Sequence, residues 1–217
     1  MINKKLVLNI ISLLFLGIVM QIGGAYLVNA AVKILDGTGG AAASAAEQYS
    51  DYMEYIRSMD PRQIGHVIFV APLVEELVFR LIFLRAGKMV LPFWAANIIQ
   101  AVLFGIYHGV AIQRVYGVIM GLIIGCVFYY CPIIFRSHTS KENGLADLPN
   151  SLMGFAATFV LHMTINVAGL YIAPLFPADV PVPVQLTAGI LLMATAVAAV
   201  YRLYVQSKMP AGPETQI

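Results

Sequence analysis

Charge is scarce in this chain: only 11% of its 217 residues are Asp, Glu, Lys or Arg, whereas 60% are hydrophobic and mean hydropathy is +0.82. A soluble domain carries roughly 25% charged residues. A water-solvated globule is therefore excluded, and the solvent of this fold is the bilayer. The formal net charge of +2 is small and scattered. With no basic block and no interleaving of aromatic and basic residues, the chain has nothing to grip phosphate, which excludes a nucleic-acid partner. Cysteine is scarce too. Cys126 and Cys131 share one apolar run, about 140° apart around a helix, and no disulfide framework follows. No segment repeats, so an inverted-repeat transporter gains no support.

What is abundant is apolar sequence in long runs. A spanning helix needs roughly 20 mainly apolar residues, and six stretches qualify: Leu6 to Ala31, Ile64 to Ala86, Val90 to Val110, Val115 to Phe135, Leu152 to Ile172 and Val184 to Val205. The expected fold is an all-α polytopic membrane bundle of about six transmembrane helices, with an amphipathic helix in its first loop. The apolar run after MINKK exceeds the roughly 7 to 15 residues of a signal-peptide core, so it reads as an uncleaved membrane helix. Lys and Arg concentrate on the cytoplasmic side. With the N-terminus inside, that side carries Lys4, Lys5, Arg85, Lys88, Arg136, Lys141, Arg202 and Lys208, against Lys33, Arg57, Arg62 and Arg114 opposite. Both termini are expected in the cytoplasm.

The chain divides into a first transmembrane helix (1–35), an extramembrane loop (36–63), a core (64–172), and a last loop, sixth helix and polar tail (173–217). In the loop, Tyr49, Tyr52, Met53 and Ile56 recur at spacings near three and four, the pattern of an amphipathic helix at the membrane surface. Such a helix can serve as a lid or simply as a solvated connector. The turn containing Pro174, Pro177, Pro181 and Pro183 reads as an ordinary loop.

Against this apolar background stand Glu75, Glu76 and Arg80, in the run Ile64 to Ala86. A charge at the centre of a membrane helix costs roughly 2.5 to 3.5 kcal/mol on insertion scales. Glu76 and Arg80, four apart, share a face and can pair. Glu75 is turned about 100° away and lacks a local partner, the situation of a carboxylate suited to general-base work. Two further polar pairs lie at intramembrane depth, Phe104 with His108 and His162 with Asn166, each on one helical face. Three apolar segments thus each contribute an inward polar group, a coincidence that calls for a shared benefit.

The series EELVFR, FGIYH and HMTIN resembles, in order, the E-E-x-x-x-R, F-x-x-x-H and H-x-x-x-N/D motifs of the CPBP family, the CAAX-protease and bacteriocin-processing (Abi) intramembrane proteases, which include the eukaryotic type II CAAX prenyl endopeptidase. The resemblance spans about Ile64 to Asn166 without departure at the motif positions. It implies hydrolysis of a peptide bond in a membrane-associated protein or peptide, with the bilayer as the second partner. In one account Glu75 and His108 activate a water while His162 and Asn166 hold the oxyanion. In the other Glu75, His108 and His162 ligate Zn2+, which activates that water. The sequence leaves both open; there is no H-E-x-x-H helix to favour metal. Glu76, Arg80 and Phe104 then support the site.

Other polar residues have plainer readings. His66 is expected at a surface or cap, and His138 in a solvated loop. Asn97 and Gln100 face the expected cavity and suit either substrate binding or an interhelical hydrogen bond. Arg114 and Tyr116 read as interface anchors. The GxxxG spacings Gly117 to Gly121 and Gly121 to Gly125 suit close helix packing within one chain. The competing functions are a non-proteolytic bacteriocin self-immunity or peptide-binding protein of the same fold, and a small proton-coupled transporter. Small size and bare termini suggest a bacterial plasma-membrane protein.

Overall fold

The computed structural model describes residues 4–135, 148–176 and 179–208. His138, with Arg136 and Lys141 of the same loop, lies outside the described residues, as does Pro177. All described secondary structure is helical: α1 (Lys4–Asp36), α2 (Gly40–Arg57), a helical run α3 (residues 61–90), α4 (Phe93–Tyr107), α5 (Ala111–Phe135), α6 (Leu148–Val167) and α7 (Val182–Lys208). Helix α6 continues through a π turn, Ala168–Ile172, and a short 3-10 turn, Ala173–Leu175.

Among the described residues, four helices are long and apolar enough to cross a membrane, Val7–Asp36, Ala111–Pro132, Leu148–Leu175 and Val182–Gln206. The sequence suggested about six. The other two stretches are α4, whose 15 residues rise only about 22 Å against a hydrocarbon core of about 30 Å, and α3, which is interrupted by polar groups and π turns. Large apolar side chains are plentiful on the outside, among them Leu8, Phe15, Trp94, Ile106 and Leu191, as helices facing lipid require. Met20, Leu84, Ile124, Val127, Phe128 and Leu161 form the closed interior. Helix α5 is central, packing against α4, α6 and α7, while α1 runs along α7 and α6.

Local chemistry shapes α3. Pro61 follows Asp60, whose carboxylate accepts from the backbone N–H of Arg62 and Gln63 while Gln63 Oε1 accepts from Asp60 N, a complete capping box that fixes where the helix begins. Pro72 then lacks the N–H that an interior position needs. The run answers with wider i→i+5 turns on either side, His66–Val70 and Glu76–Leu84. Such insertions recur at functional sites, and here Glu75 and Glu76 sit at a junction between the two geometries.

Helices α4 and α5 approach closely because α5 presents glycine. A Cβ on Gly125 would collide with the Asn97 Oδ1 atom, and one on Gly117 would come within 3.3 Å of the His108 ring. The GxxxG spacings of α5 are thus used inside the chain, against α4.

Candidate active site

The charged face of α3 meets α6 in the bundle interior. Glu76 and Arg80 are fully buried and pair, Nη1 to Oε1 at 3.0 Å. The Arg80 guanidinium lies 4.3 Å over the Phe104 ring, a second partner for the buried cation. The same Glu76 oxygen accepts from His162 Nδ1 at 2.8 Å, and the other ring nitrogen, Nε2, faces Glu75 Oε2 at 3.6 Å. His162 therefore spans both carboxylates. The Nε2 contact is longer than a hydrogen bond, and the Glu75 side chain keeps 12% exposure where Glu76 has none. The buried Thr158 hydroxyl stands beside Glu76 and donates to Phe155 O.

His108 reaches the same place from α4. The helix ends at Tyr107, and His108 leaves it with extended backbone, φ −76° and ψ 138°. The spacing from Phe104 survives because the ring folds back, with Nδ1 2.8 Å from Phe104 O. A carbonyl oxygen can only accept, so Nδ1 donates and Nε2 keeps its lone pair. His108 and His162 both lie close enough to Glu75 for charge to act between them. The Phe104 ring packs edge-on against both histidines, with ring centroids 4.8 Å from His108 and 5.9 Å from His162. Asn166, one turn beyond His162, donates from Nδ2 to Val67 O at 2.8 Å, which ties α6 to α3 and leaves the second amide N–H uncommitted to that bond.

A cavity of about 160 Å³ gathers Phe104, His108, His162 and Asn166 in its lining. Glu75 is not among its lining residues, but its Oε2 faces Nε2 of His162, which is. Helices α1 to α6 contribute and α7 does not: the middle of α1, the beginning of α3, the first half of α5, and the ends of α4 and α6. Helix α2 closes the cavity with Tyr49, Tyr52, Met53 and Ile56. The amphipathic face of the first loop is thus a cavity wall.

Of the two readings of Asn97 and Gln100, the structure bears out the interhelical hydrogen bond. Asn97 and Gln100 are buried against α5 and do not line the cavity: Asn97 donates to Leu122 O at 3.0 Å, and Gln100 donates to Asn97 Oδ1 at 2.7 Å and to Gly121 O at 2.9 Å. The glycines of α5 make those carbonyls reachable. Arg114 is exposed and Tyr116 half-buried, and both have partners within the chain. Arg114 donates from Nε to His108 O at 2.8 Å and from Nη2 to Gly109 O at 3.1 Å, clamping the turn that carries His108. The Tyr116 hydroxyl donates to Gln21 Oε1 on α1 at 2.9 Å. His66 is exposed. Sequence offered one signal for the clamp, a cation six residues after His108 in a short polar turn.

The family model for type II CAAX prenyl endopeptidase Rce1-like proteins matches residues 60–168, just over half of the chain. The chain belongs to that family. No curated protein and no solved structure matches it significantly. Membership makes the chain, at family level, a CAAX-type intramembrane protease, a hydrolase acting on peptide or protein substrates in a membrane context. The match begins at the capping box of α3 and ends on α6, so it contains all three polar segments and excludes α2.

Among the described residues, no three His, Cys, Asp or Glu side chains are placed to hold a metal ion. Glu76 holds His162 by Nδ1 and leaves Nε2 toward Glu75, the way a carboxylate orients a histidine whose other nitrogen is free to bind.

Proposed function

We propose that this cavity is the active site of an intramembrane endopeptidase that hydrolyses a peptide bond of a membrane-associated protein or peptide precursor. The observation that carries the reading is the bridge of His162 between Glu75 and Glu76, beside a cavity that also gathers His108 and Asn166. Water oxygen attacks the scissile carbonyl carbon, its proton passes to the Glu75 carboxylate, and the carbonyl electron pair moves onto oxygen. His108, with Nδ1 committed to Phe104 O, offers the Nε2 lone pair to orient that water. Asn166, through its second amide N–H, and His162, protonated on both nitrogens so that Nδ1–H donates to Glu76 and Nε2–H to the substrate oxygen, hold the oxyanion. When the tetrahedral intermediate collapses, the carbon–nitrogen bond breaks and the proton held by Glu75 goes to the leaving amine. Glu76, Arg80 and Phe104 hold His162 in place from behind.

The reading extends to the membrane. Helices α3 and α4 complete six crossings, both termini are cytoplasmic, and the membrane is a bacterial plasma membrane. The cavity and α2 then lie on the opposite, external half, because α2 follows α1 directly and walls the cavity.

The test uses membrane-anchored reporter peptides. Glu75→Gln and His108→Ala each lower cleavage by about 10²- to 10⁴-fold while the protein accumulates normally in the membrane. Retained cleavage in both variants sinks the assignment, and a phenotype that survives Glu75→Gln points to peptide binding without proteolysis. Metal analysis with chelator challenge decides between the two waters: bound zinc with chelator-sensitive cleavage favours metal, and chelator-resistant cleavage by metal-free protein favours the carboxylate route.

A further inference from the structure

The wall opposite the histidines is built by a helix that the family match does not include. Helix α2 ends before residue 60, where the match begins. It sets Tyr49, Tyr52, Met53 and Ile56 across the cavity from His108, His162 and Asn166. The wall is held at a defined distance. Gln113 Nε2 on α5 donates to the Tyr52 hydroxyl at 3.2 Å, Ile56 is buried at 7% exposure, and the Asp60 capping box fixes the chain just beyond the helix. The face that α2 turns inward carries phenol, thioether and aliphatic groups and no formal charge. Burial pushes the Tyr49 phenol up to about 12, helped by Tyr52 and opposed by Arg57, so its hydroxyl stays neutral at physiological pH.

We propose that α2 is the substrate-selecting wall of this site: Tyr52 and Met53 pack against the substrate side chain next to the scissile bond and restrict it to uncharged residues of moderate size. This rests on the proteolytic reading above. The chemistry of the wall sets the restriction. A charged side chain brought against it leaves water for a surface with no counter-charge, which is costly. An aliphatic side chain gains by burial there. The cavity's 160 Å³ equals about five water molecules at liquid volume, room for one medium side chain rather than a long stretch of peptide. Selectivity then lies in a segment outside the matched core, while the chemistry stays inside it.

The experiment measures kcat/KM for membrane-anchored reporter peptides that differ only in the residue beside the scissile bond, carrying Gly, Leu, Trp or Asp. The enzymes are wild type, Met53→Ala, Met53→Trp and Glu47→Ala, the last altering an exposed α2 residue absent from the cavity lining. Wild type prefers Leu and rejects Asp. Met53→Trp shifts the preference from Leu toward Gly by tenfold or more, Met53→Ala shifts it toward Trp, and Glu47→Ala leaves it unchanged. An unchanged profile in both Met53 variants, with cleavage intact, overturns the proposal and leaves the proteolytic reading standing.

A second measurement needs no turnover. A benzophenone amino acid placed at position 53 in Glu75→Gln protein is irradiated with the same peptides. Capture of the Leu peptide, competed by unlabelled Leu peptide and not by the Asp peptide, supports the wall. If wild type cleaves nothing while this capture is seen, the proteolytic reading fails and α2 remains a peptide-binding wall. No capture of any peptide overturns the proposal.

Discussion

Two polar clusters occupy the interior of this bundle, and they differ in what their atoms still have to give. In the amide cluster, Gln100 donates to Asn97, both donate to carbonyls of α5, and the Gln100 Oε1 atom is the one side-chain polar atom of the two left without a partner. In the second cluster Glu76 and Arg80 are mutually engaged, yet Glu75 Oε2 faces a histidine nitrogen at 3.6 Å and the His108 Nε2 lone pair is not used by the carbonyl that holds its ring. Both clusters are costly to bury. The first recovers that cost as helix packing; the second leaves reactive edges beside a cavity. Polarity at membrane depth therefore does not identify a site, whereas uncommitted lone pairs that converge do.

The sharpest way to break this contrast is to remove a partner inside the charged cluster. Arg80→Met leaves Glu76 buried without its cation, and thermal unfolding in detergent should register a loss of about 3–5 kcal/mol. Glu76→Leu combined with Arg80→Met should cost less, because no charge is left unpaired, yet cleavage should still fall because His162 loses its Nδ1 partner. A double variant with normal cleavage shows that the bridge has no positioning role.

The amide cluster should respond in stability alone. Asn97→Leu strips Gln100 Nε2 of one of its two acceptors and is expected to lower stability by about 1–2 kcal/mol. Cleavage per folded molecule should be unchanged; a large fall in kcat moves these amides into the site and erases the distinction.

A smaller effect is expected where the clusters' helices meet, at the turn after α4. Arg114→Gln loses the bidentate clamp on the carbonyls of His108 and Gly109 without touching substrate, so kcat should drop roughly tenfold, about 1.4 kcal/mol, with KM and melting temperature nearly unaltered. A rise in KM with unchanged kcat assigns Arg114 to binding instead.

The smallest effect concerns the wall. Docked in place, Tyr49 keeps its proton to about 12, whereas a free tyrosine releases it near 10. Between those values the undocked form sheds a proton that the docked form retains, so docking of α2 weakens as pH rises through that window. The melting temperature should fall more for wild type than for Tyr49→Phe between about pH 9 and pH 11. Equal falls show that the phenol is not buried at the wall.

How much of this was legible beforehand varies residue by residue. The pairing of Glu76 with Arg80 follows from a four-residue offset, which π turns do not abolish, and the family motifs lie on the segments that the family match covers. That Asn97 and Gln100 make interhelical hydrogen bonds was one of their two readings; that the bonds go to carbonyls of α5 was not legible, because a helical face tells which residues point together and not which neighbour they meet. The clamp by Arg114 was not legible because its partners are backbone carbonyls, which no residue letter marks. The wall formed by α2 was one of two readings of its apolar spacing, since amphipathicity says that a face is buried and not against what.

The charged residues that open this problem, Glu75, Glu76 and Arg80, were set by sequence: composition made the bilayer their solvent, and local spacing divided them into a pair and a remainder. Only the tertiary structure brought His162 between the two carboxylates, folded His108 back onto Phe104 and closed the cavity with α2. The physical reason is range. Hydropathy and helical period act within a few turns of one segment, whereas the geometry of the site depends on contacts spanning up to 99 positions, such as Asn166 with Val67 and His162 with Glu76, which only the packing of α3, α4 and α6 around α5 can set.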